Sequence, residues 1–266
     1  MFWFKKNKVV LDCFTTDPFV YEYAKIDTAS KFYPGWWKQL PNVVSDINGN
    51  NIPSMKYCRG LTEMYKNSLA MPYWGGAVIE MSDSSTKMSS WKTNYKVPVE
   101  PSDRIFQQHP PQQYAGFVSD NFVHYKIIAP WVIKCKEKVN FFMSDPVWNK
   151  SKINDYTVLP GVIDFKYQPV VNINIMLEFT KEIRLVQLSV NDVICFLTPL
   201  TEREVIVRHH LVDEKEYANT LLFARRIAPI INHLGIGDQT SYVLNKKFID
   251  KHEERNKTKC PFGFKI

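Results

Sequence analysis

The chain turns and then extends at Gly161-Val162-Ile163-Asp164-Phe165-Lys166-Tyr167, which continues after Gln168-Pro169 into Val170-Val171-Asn172-Ile173-Asn174-Ile175. The first part contains a glycine and an aspartate, which are common in turns. In the second part apolar and polar side chains alternate with a period of two, as in a half-buried strand. An aspartate in this position can cap its own turn through backbone amides, or it can bind a water or a ligand. We therefore expect any site to lie here, with Asp164 at its centre.

Short strands separated by turns are predicted on both sides of this segment. They span residues 122–128, 131–136, 139–143, 158–165, 170–177, 183–187 and 193–197, with earlier ones at 8–11, 19–23 and 77–81. This spacing is typical of a sandwich or barrel and differs from the alternating strands and helices of α/β folds. The predicted fold class is mainly β.

Helical patterns are confined to two regions. Residues 58–68 place Leu61, Met64 and Tyr65 on one face, and Asp213 can cap a helix that has Glu216 three residues later. The tail from residue 242 has a second helical pattern. The simplest organisation is one β-rich domain over residues 1–212, with a core at about 120–200, and a helical C-terminal appendage over 213–266.

Composition indicates an ordinary globular protein. The 266 residues are 45% hydrophobic and 23% charged. No apolar run reaches the roughly 18 residues that cross a bilayer, and the N-terminus has aromatic residues before its lysines, the reverse of a secretory signal. We expect a soluble protein of the cell interior with no membrane partner. The five cysteines are widely spread and form no CxxC pair, so we expect no disulfide framework.

The net charge of +7 attracts polyanions in general. The lysines are scattered, however, and the cluster over residues 246–259 is interrupted by Asp250, Glu253 and Glu254. That pattern favours a solvated helix face over a nucleic-acid footprint, and DNA association through this tail is kept as an alternative. The aromatic fraction of 14% is typical of loops pinned by large side chains, or of a contact surface.

Other kinds of site have weak sequence support. His109 and His124 can approach each other, but no third metal ligand has suitable spacing. His209 and His210 are adjacent, so on a strand they would point to opposite faces. Nucleophile-elbow, Walker and dinucleotide-binding motifs are absent from the sequence. We predict no cofactor.

Residues 129–200 resemble the trimeric dUTP pyrophosphatase superfamily, whose fold is a β-clip related to the jelly roll. Residues 130–142 look like its strand pair before a serine segment, and Gly161-Val162-Ile163-Asp164-Phe165-Lys166-Tyr167 is similar to its catalytic turn. The strand after that turn matches the family's exit strand. Val190-Asn191-Asp192-Val193-Ile194-Cys195-Phe196-Leu197 is like its later hairpin, with Asn191 in place of a glycine. Asparagine tolerates positive φ better than other non-glycine residues.

The resemblance implies a fold and a candidate site. The fold would be a dUTPase-like β-clip or jelly-roll barrel or sandwich. Asp164 would position the water that attacks a phosphate, Tyr167 would pack on the sugar, and Mg²⁺ would be bound through the triphosphate. Ser144, Lys166 and Asp192 are the further candidate ligand-binding residues.

This chain also departs from that family's pattern. Lys166 replaces a second aspartate, Gln168-Pro169 replaces a glycine, and Ser144 is all that remains of the serine segment. The hairpin's glutamine and arginine are Phe196 and Val193. Without backbone donors for three phosphates, the charge of a transition state would be poorly stabilised.

A second resemblance, over most of the chain, is to a family of proteins common in tailed phages of marine bacteria, to which no activity is assigned. The shared features are Pro34-Gly35-Trp36-Trp37-Lys38, the helix near Cys58, residues 109–113, Pro130-Trp131, the Gly161–Asp164 turn, and Thr198-Pro199-Leu200 followed by Arg203. This resemblance implies a phage protein in the host cytoplasm or the virion.

Three hypotheses for function follow. The first is a non-catalytic binding or structural protein, on a degenerate dUTPase-like scaffold, that associates with itself or with other phage proteins. The second is a metal-dependent nucleoside triphosphate pyrophosphohydrolase that uses Asp164 and Mg²⁺. The third is a DNA-associated phage protein.

Overall fold

The computed structural model describes residues 8–94, 106–117, 119–146 and 156–221, and residues 243, 246, 247, 249–251 and 254 of the tail. The protein is mainly β, as predicted, and its strands form several sheets. None of the sheets closes into a barrel over the described residues.

The strands are numbered along the chain. They are β1 (Val9–Thr15), β2 (Asp27–Thr28), β3 (Val43–Ser45), β4 (Asn51–Pro53), β5 (Leu69–Pro72), β6 (Ala77–Met81), β7 (Ser89–Thr93), β8 (Phe106–His109), β9 (Phe122–Cys135), β10 (Asn140–Ser144), β11 (Thr157–Val158), β12 (Gly161–Asp164), β13 (Val170–Glu178), β14 (Arg184–Leu188), β15 (Val193–Pro199) and β16 (Val205–Leu211). The helices are α1 (Pro18–Tyr23), α2 (Gly35–Gln39) and α3 (Arg59–Asn67), with 3₁₀ turns at Ala29–Phe32, Met55–Tyr57 and Pro111–Gln113.

A six-stranded sheet is built around β9. Its order is β11-β13-β9-β1-β16, and β8 also pairs with β9. All pairs are antiparallel except β1 with β16, which run parallel from Val9 opposite Val205 to Thr15 opposite Leu211. The first and last strands of the β-rich region are thus neighbours.

A five-stranded sheet, ordered β12-β10-β15-β5-β2, carries the Asp164 segment at its edge. Strand β10 lies between β12 and β15, so the turn after β12 and the 190–197 hairpin belong to one sheet. The remaining strands form a three-stranded sheet, β14-β6-β7, and a separate hairpin of β3 with β4.

The three larger sheets share one hydrophobic core. Their inner faces contribute fully buried residues such as Leu11, Trp131, Phe141, Ile79 and Val186 to a single cluster. Trp131 also donates its indole N–H to the backbone carbonyl of Ala24 at 3.0 Å, which ties α1 to the six-stranded sheet. A second cluster on β5 and β15 contains Trp37, Tyr65 and Phe196.

The predicted strand at residues 19–23 is wrong, because these residues form the helix α1. Asp17 caps the helix by accepting hydrogen bonds from the N–H groups of Phe19 and Val20, and Pro18 occupies its first turn. An aspartate cap followed by proline is a strong helix start, and it outweighs the β propensity of the aromatic residues.

Two other predictions about strands need correction. The separate strands expected at 122–128 and 131–136 form one long strand, β9, whose register against β13 shifts between Val170 and Asn172. That irregularity faces Pro130, which has no N–H to donate to the ladder. Strand β5 was not predicted, because it is an interior strand that is buried along its whole length and shows no alternation.

The predicted C-terminal helix is confirmed at its start. Residues 214–221 are helical, and Asp213 Oδ1 accepts a hydrogen bond from the Glu216 N–H at 2.7 Å. Tyr217 and Leu221 pack on Val132 of β9. The described residues between 243 and 254 are also helical. No helix among the described residues is both long enough and apolar enough to span a membrane.

Candidate functional site

The turn that was predicted to start at Gly161 begins later in the structure, because Gly161–Asp164 forms the edge strand β12 and the turn follows Asp164. Asp164 Oδ1 accepts a hydrogen bond from the Lys166 N–H at 3.1 Å, and its carbonyl accepts from the N–H groups of Tyr167 and Gln168 at 3.0 and 2.8 Å. The carboxyl group therefore caps its own turn. Only 4% of the residue is exposed, and Oδ2 has no hydrogen-bond partner in the described part of the chain.

The rest of the turn is fixed by packing and by the C-terminal tail. Phe165 is buried against the ring of Phe141, with the ring centroids 5.1 Å apart. The hydroxyl of Tyr167, which is 3% exposed, donates to Asp250 Oδ1 at 2.8 Å. The ammonium group of Lys166 lies 5.5 Å from the centroid of the Tyr167 ring.

The electrostatics of Asp164 are set mainly by burial. Burial raises the pKa of its carboxyl group above the ordinary value, while the Lys166 N–H and the charges of Lys138, Lys166 and Lys246 oppose that change. A buried carboxyl group is harder to ionise because it has lost its water. No described hydrogen bond satisfies the second oxygen of Asp164.

Ser144 and Asp192 lie away from Asp164. Asn140 of β10 is opposite Asp164, and Ser144 is four residues farther along that strand, roughly 13 Å away at 3.3 Å per residue. Leu200 is hydrogen-bonded to Asn140, and Asp192 precedes it by eight residues, or roughly 26 Å. Of the predicted site residues, Asp164, Lys166 and Tyr167 come together, whereas Ser144 and Asp192 do not join them.

Asp192 has a local structural role in its own hairpin. Its Oδ2 accepts a hydrogen bond from the Ser189 N–H at 3.1 Å, and its carbonyl accepts from the Tyr73 N–H at 2.7 Å. The preceding Asn191 has a φ of 68°. The expectation that asparagine takes the left-handed conformation here is confirmed.

The residues around Asp164 that sequence reasoning missed come from distant segments. Lys138 lies before β10, and Lys246 and Asp250 lie in the tail. The spacing of four residues between Lys246 and Asp250 places them on one helix face. Nothing in the sequence indicates which part of the core that face would meet.

The histidine predictions are tested by the strand pairing. His109 and His124 lie opposite each other on β8 and β9 with ring centroids 4.5 Å apart, and His124 Nε2 is bonded to Asn174 Oδ1 at 3.1 Å. His209 contacts the Ile26 carbonyl and His210 contacts Asp12, so the adjacent pair diverges as predicted. Among the described residues, no three His, Cys, Asp or Glu side chains are grouped as a metal site.

The region from Trp36 to Tyr57 contains six large apolar residues that are exposed to solvent. We call its exposed residues the hairpin surface: Trp36, Val43, Ile47, Ile52, Met55 and Tyr57, each at least 42% exposed. Several other aromatic residues are core residues, including Trp37, Tyr73, Trp74 and Trp131. Much of the aromatic content therefore reflects packing, although Phe19, Tyr23, Phe117 and Phe142 are exposed as well.

The turn of the β3–β4 hairpin is well defined although its strands are exposed. Asp46 Oδ1 accepts from the N–H groups of Asn48 and Asn50 at 2.8 Å, and Asn50 donates its side-chain amide to Asp46 Oδ2. These bonds hold the pKa of Asp46 below its ordinary value, the Asn50 side chain contributing most. Gly49 supplies a φ of 81°. The hairpin is thus preorganised by local hydrogen bonds and not by the core.

Comparison with known proteins does not assign this chain to a family. We found neither a family model nor a curated protein that matches this chain.

Proposed function

We propose that the protein is a non-catalytic structural or binding protein that associates with a second copy of itself through the β3–β4 hairpin. The observation that carries this proposal is the hairpin itself, which pairs with no further strand among the described residues and exposes its apolar side chains. A two-stranded hairpin is marginally stable alone in water, and exposed apolar patches mark interaction sites.

The partner is argued from the edges of the hairpin. Strand β4 carries Pro53, which has no N–H and blocks further pairing on that side. On strand β3, Val43-Val44-Ser45, the N–H groups of Val43 and Ser45 point away from β4 and are available in principle for a new neighbour, because alternate N–H groups of an antiparallel strand bond to its partner. A strand edge is complementary to its own copy under a two-fold axis, so pairing of β3 with β3 would give a four-stranded sheet centred on Val44.

The expected interface is small and therefore weak. A stable interface buries on the order of 1,000 Å² or more, which exceeds what a three-residue strand supplies. Trp36, Met55 and Tyr57 flank the hairpin in sequence and would add apolar area. We expect a dimer whose population depends on protein concentration.

Substitution of Val43 tests this interface. Val43→Asp places a charge on an exposed edge strand, so it should weaken dimerisation at least about tenfold without affecting the fold. Size-exclusion chromatography with light scattering at several concentrations measures the effect. The matched control is Leu185→Asp, which charges an aliphatic residue on β14 that is more exposed than Val43, and it should leave the dimer intact.

A disulfide tests the pairing register. In antiparallel pairing centred on Val44 the two Cα atoms would be about 5 Å apart, within the range that a disulfide bridges. Val44→Cys should give a reducible dimer on oxidation in a background of Cys58→Ser, which removes the exposed thiol among the described residues, and Cys260→Ser, which removes the thiol that lies outside them. Failure to cross-link, together with a dimer that survives Val43→Asp, would reject the hairpin as the interface.

We also propose a more specific fold and a source for this protein. The resemblances support a degenerate dUTPase-like β-clip core and a tailed-phage protein of the host cytoplasm or the virion, assembling with itself or other phage proteins. The separation of Ser144 and Asp192 from Asp164 supports a scaffold that has lost triphosphate binding.

A pyrophosphohydrolase is the second candidate, favoured by the unsatisfied Oδ2 of Asp164. It predicts pyrophosphate release from a deoxynucleoside triphosphate in the presence of Mg²⁺, abolished by Asp164→Asn. The non-catalytic proposal predicts no release for any member of a panel of deoxynucleoside triphosphates. Mass spectrometry of purified virions would show whether the protein is packaged.

A further inference from the structure

Strand register brings two histidines and a methionine into one row across three strands. His109 of β8 and Met176 of β13 lie directly opposite His124 of β9, one on either side of it. Directly opposite residues of antiparallel strands point to the same face of the sheet. That face is the outer one, because Val123 and Tyr125 of β9 point into the core.

The three side chains are close enough to share one ion. The rings of His109 and His124 have centroids 4.5 Å apart at an interplanar angle of 68°. Two imidazoles on one tetrahedral ion, with metal–nitrogen bonds of about 2.0 Å, have centroids roughly 5 Å apart, so only a small adjustment is needed.

Met176 is equally near to His124 on the other side. The Phe179 N–H donates to the Asn121 carbonyl at 2.7 Å, three residues along the ladder from His124. Because hydrogen-bonded and non-hydrogen-bonded pairs alternate, His124 and Met176 form a non-hydrogen-bonded pair. The Cα atoms of such a pair are only about 4.5 Å apart.

A second contact orients His124 as a ligand. Its Nε2 lies 3.1 Å from Asn174 Oδ1 on β13. An amide oxygen only accepts hydrogen bonds, so Nε2 carries the proton and Nδ1 has the lone pair. Metal-bound histidines have the same arrangement, in which one nitrogen binds the ion and the other donates to an oxygen.

The row is shielded from solvent. His124 and Met176 are buried although they lie on the outer face of the sheet. Tyr114, which follows the 3₁₀ turn Pro111–Gln113, places its ring edge-on to the ring of His124 with the centroids 5.7 Å apart. Its hydroxyl donates to the Phe122 carbonyl at 3.3 Å. The thioether and the imidazoles are therefore enclosed and uncharged donors.

We propose that His109, His124 and Met176 bind a monovalent copper ion. Thioether sulfur and imidazole suit Cu(I), whereas Mg²⁺ and Ca²⁺ require oxygen ligands. The charged residues beside the row on the described strands, Lys126 and Glu178, lie on opposite sides of it and have opposite signs. A divalent ion would thus keep two uncompensated charges in a largely buried site, and a monovalent ion keeps only one.

The row supplies the third ligand that sequence spacing did not indicate. That ligand is a thioether, so the site agrees with the finding that no three His, Cys, Asp or Glu side chains are grouped in the described part of the chain. Strand β8 pairs with β9 alone among the described strands, and a bound ion would tie it to β13 as well. The site shares no element with the hairpin surface, so copper binding and self-association are tested independently.

The test is titration of Cu(I) into the full chain without oxygen, in competition with a chromophoric copper chelator. Thiols also bind Cu(I), so the titration uses the background of Cys58→Ser and Cys260→Ser. We expect one ion per chain. Met176→Leu keeps the side-chain volume and should weaken binding at least about tenfold. Met143→Leu changes an equally buried methionine on β10 and should leave the affinity unchanged.

Two further variants test the histidines. His109→Asn removes a ligand, and Asn174→Ala removes the acceptor that orients His124, so each should weaken binding about tenfold or more. Asn172→Ala, two residues earlier on the same face of β13, is the matched control and should bind copper like its parent. Thermal unfolding without copper checks that every variant is folded.

Nuclear magnetic resonance with ¹³C-methyl-labelled methionine locates the ligand without relying on a variant's affinity. Of the eight methionine signals, the one that is missing in Met176→Leu should shift on saturation with Cu(I). An unshifted Met176 signal, or equal affinity in Met176→Leu, would overturn the proposal. Binding of Zn²⁺ as tight as that of Cu(I) would overturn the assignment to a soft monovalent ion, and failure to bind one ion per chain would overturn the site itself.

Discussion

Asp164 combines a structural and an electrostatic role in one side chain. Oδ1 closes the turn by accepting the Lys166 N–H, and Oδ2 is buried without a described partner. Turn capping was one of the two roles that the sequence predicted for this residue. The second oxygen and its surrounding lysines became visible only with the strand register and the position of the tail.

Replacing Asp164 with asparagine should stabilise the protein at neutral pH. The folded-state pKa is raised by burial, so the folded protein binds more protons than the unfolded chain between the two pKa values, and its stability falls as pH rises through that window. Asp164→Asn removes this loss and should increase the free energy of unfolding by about 1 kcal/mol at pH 7. Urea titrations at several pH values measure it.

The same titrations supply the control for that prediction. The difference between Asp164→Asn and the unmodified protein should shrink as pH falls toward the ordinary carboxyl pKa of 3.8. A variant that is less stable at pH 7 would mean that attraction to the lysines outweighs burial.

The titration of His124 should make the stability of the protein depend on pH with the opposite sign. Burial lowers its pKa below 6.5, so the unfolded chain binds more protons in that window and stability is lost as pH falls below about 6.5. Burial also lowers the pKa of His209. His124→Asn should flatten the decline in the urea midpoint between pH 7.5 and 5.5. A decline unchanged in both His124→Asn and His209→Asn would contradict this assignment.

At the scale of single elements, the hairpin before β15 depends on one backbone conformation. Asn191 has a φ of 68° and donates its N–H to the Tyr73 carbonyl at 2.8 Å. Asn191→Ala should lower the free energy of unfolding by about 1 kcal/mol, because a β-carbon disfavours the left-handed region. Asn191→Gly is the matched control and should be nearly neutral. Equal effects of the two variants in thermal unfolding would rule out backbone strain as the cause.

Elements were predictable from sequence where a local signal was strong. The strand at 170–177 alternates, and Asp213 with Glu216 starts a helix, and the structure has both. The start of α1 carried an equally local signal, Asp17-Pro18. Residues 19–23 were nevertheless predicted as a strand, because Phe19, Tyr21 and Tyr23 have high β propensity. Strand β5 gave no such signal, because it is buried on both faces.

At the scale of the whole molecule, the contacts that set the topology join residues that are far apart in sequence. The parallel pairing of β1 with β16 joins residues 196 positions apart, and no pattern in either strand specifies its partner. The same holds for the contact of Tyr167 with Asp250. The mainly β class was therefore predictable, whereas the contact between the central turn and the tail depended on topology.

The hairpin surface is the contact that we propose for self-association. The hairpin is ordered by Asp46 and Gly49 yet exposes Val43, Ile47 and Ile52, which indicates preorganisation for a partner.

Sedimentation equilibrium of the unmodified full chain, from low to high micromolar concentration, tests self-association most directly. The account predicts an average mass that rises with concentration from the 31.1 kDa of one chain toward twice that value, and a rise that Val43→Asp suppresses. A single mass of one chain across the whole range would contradict it.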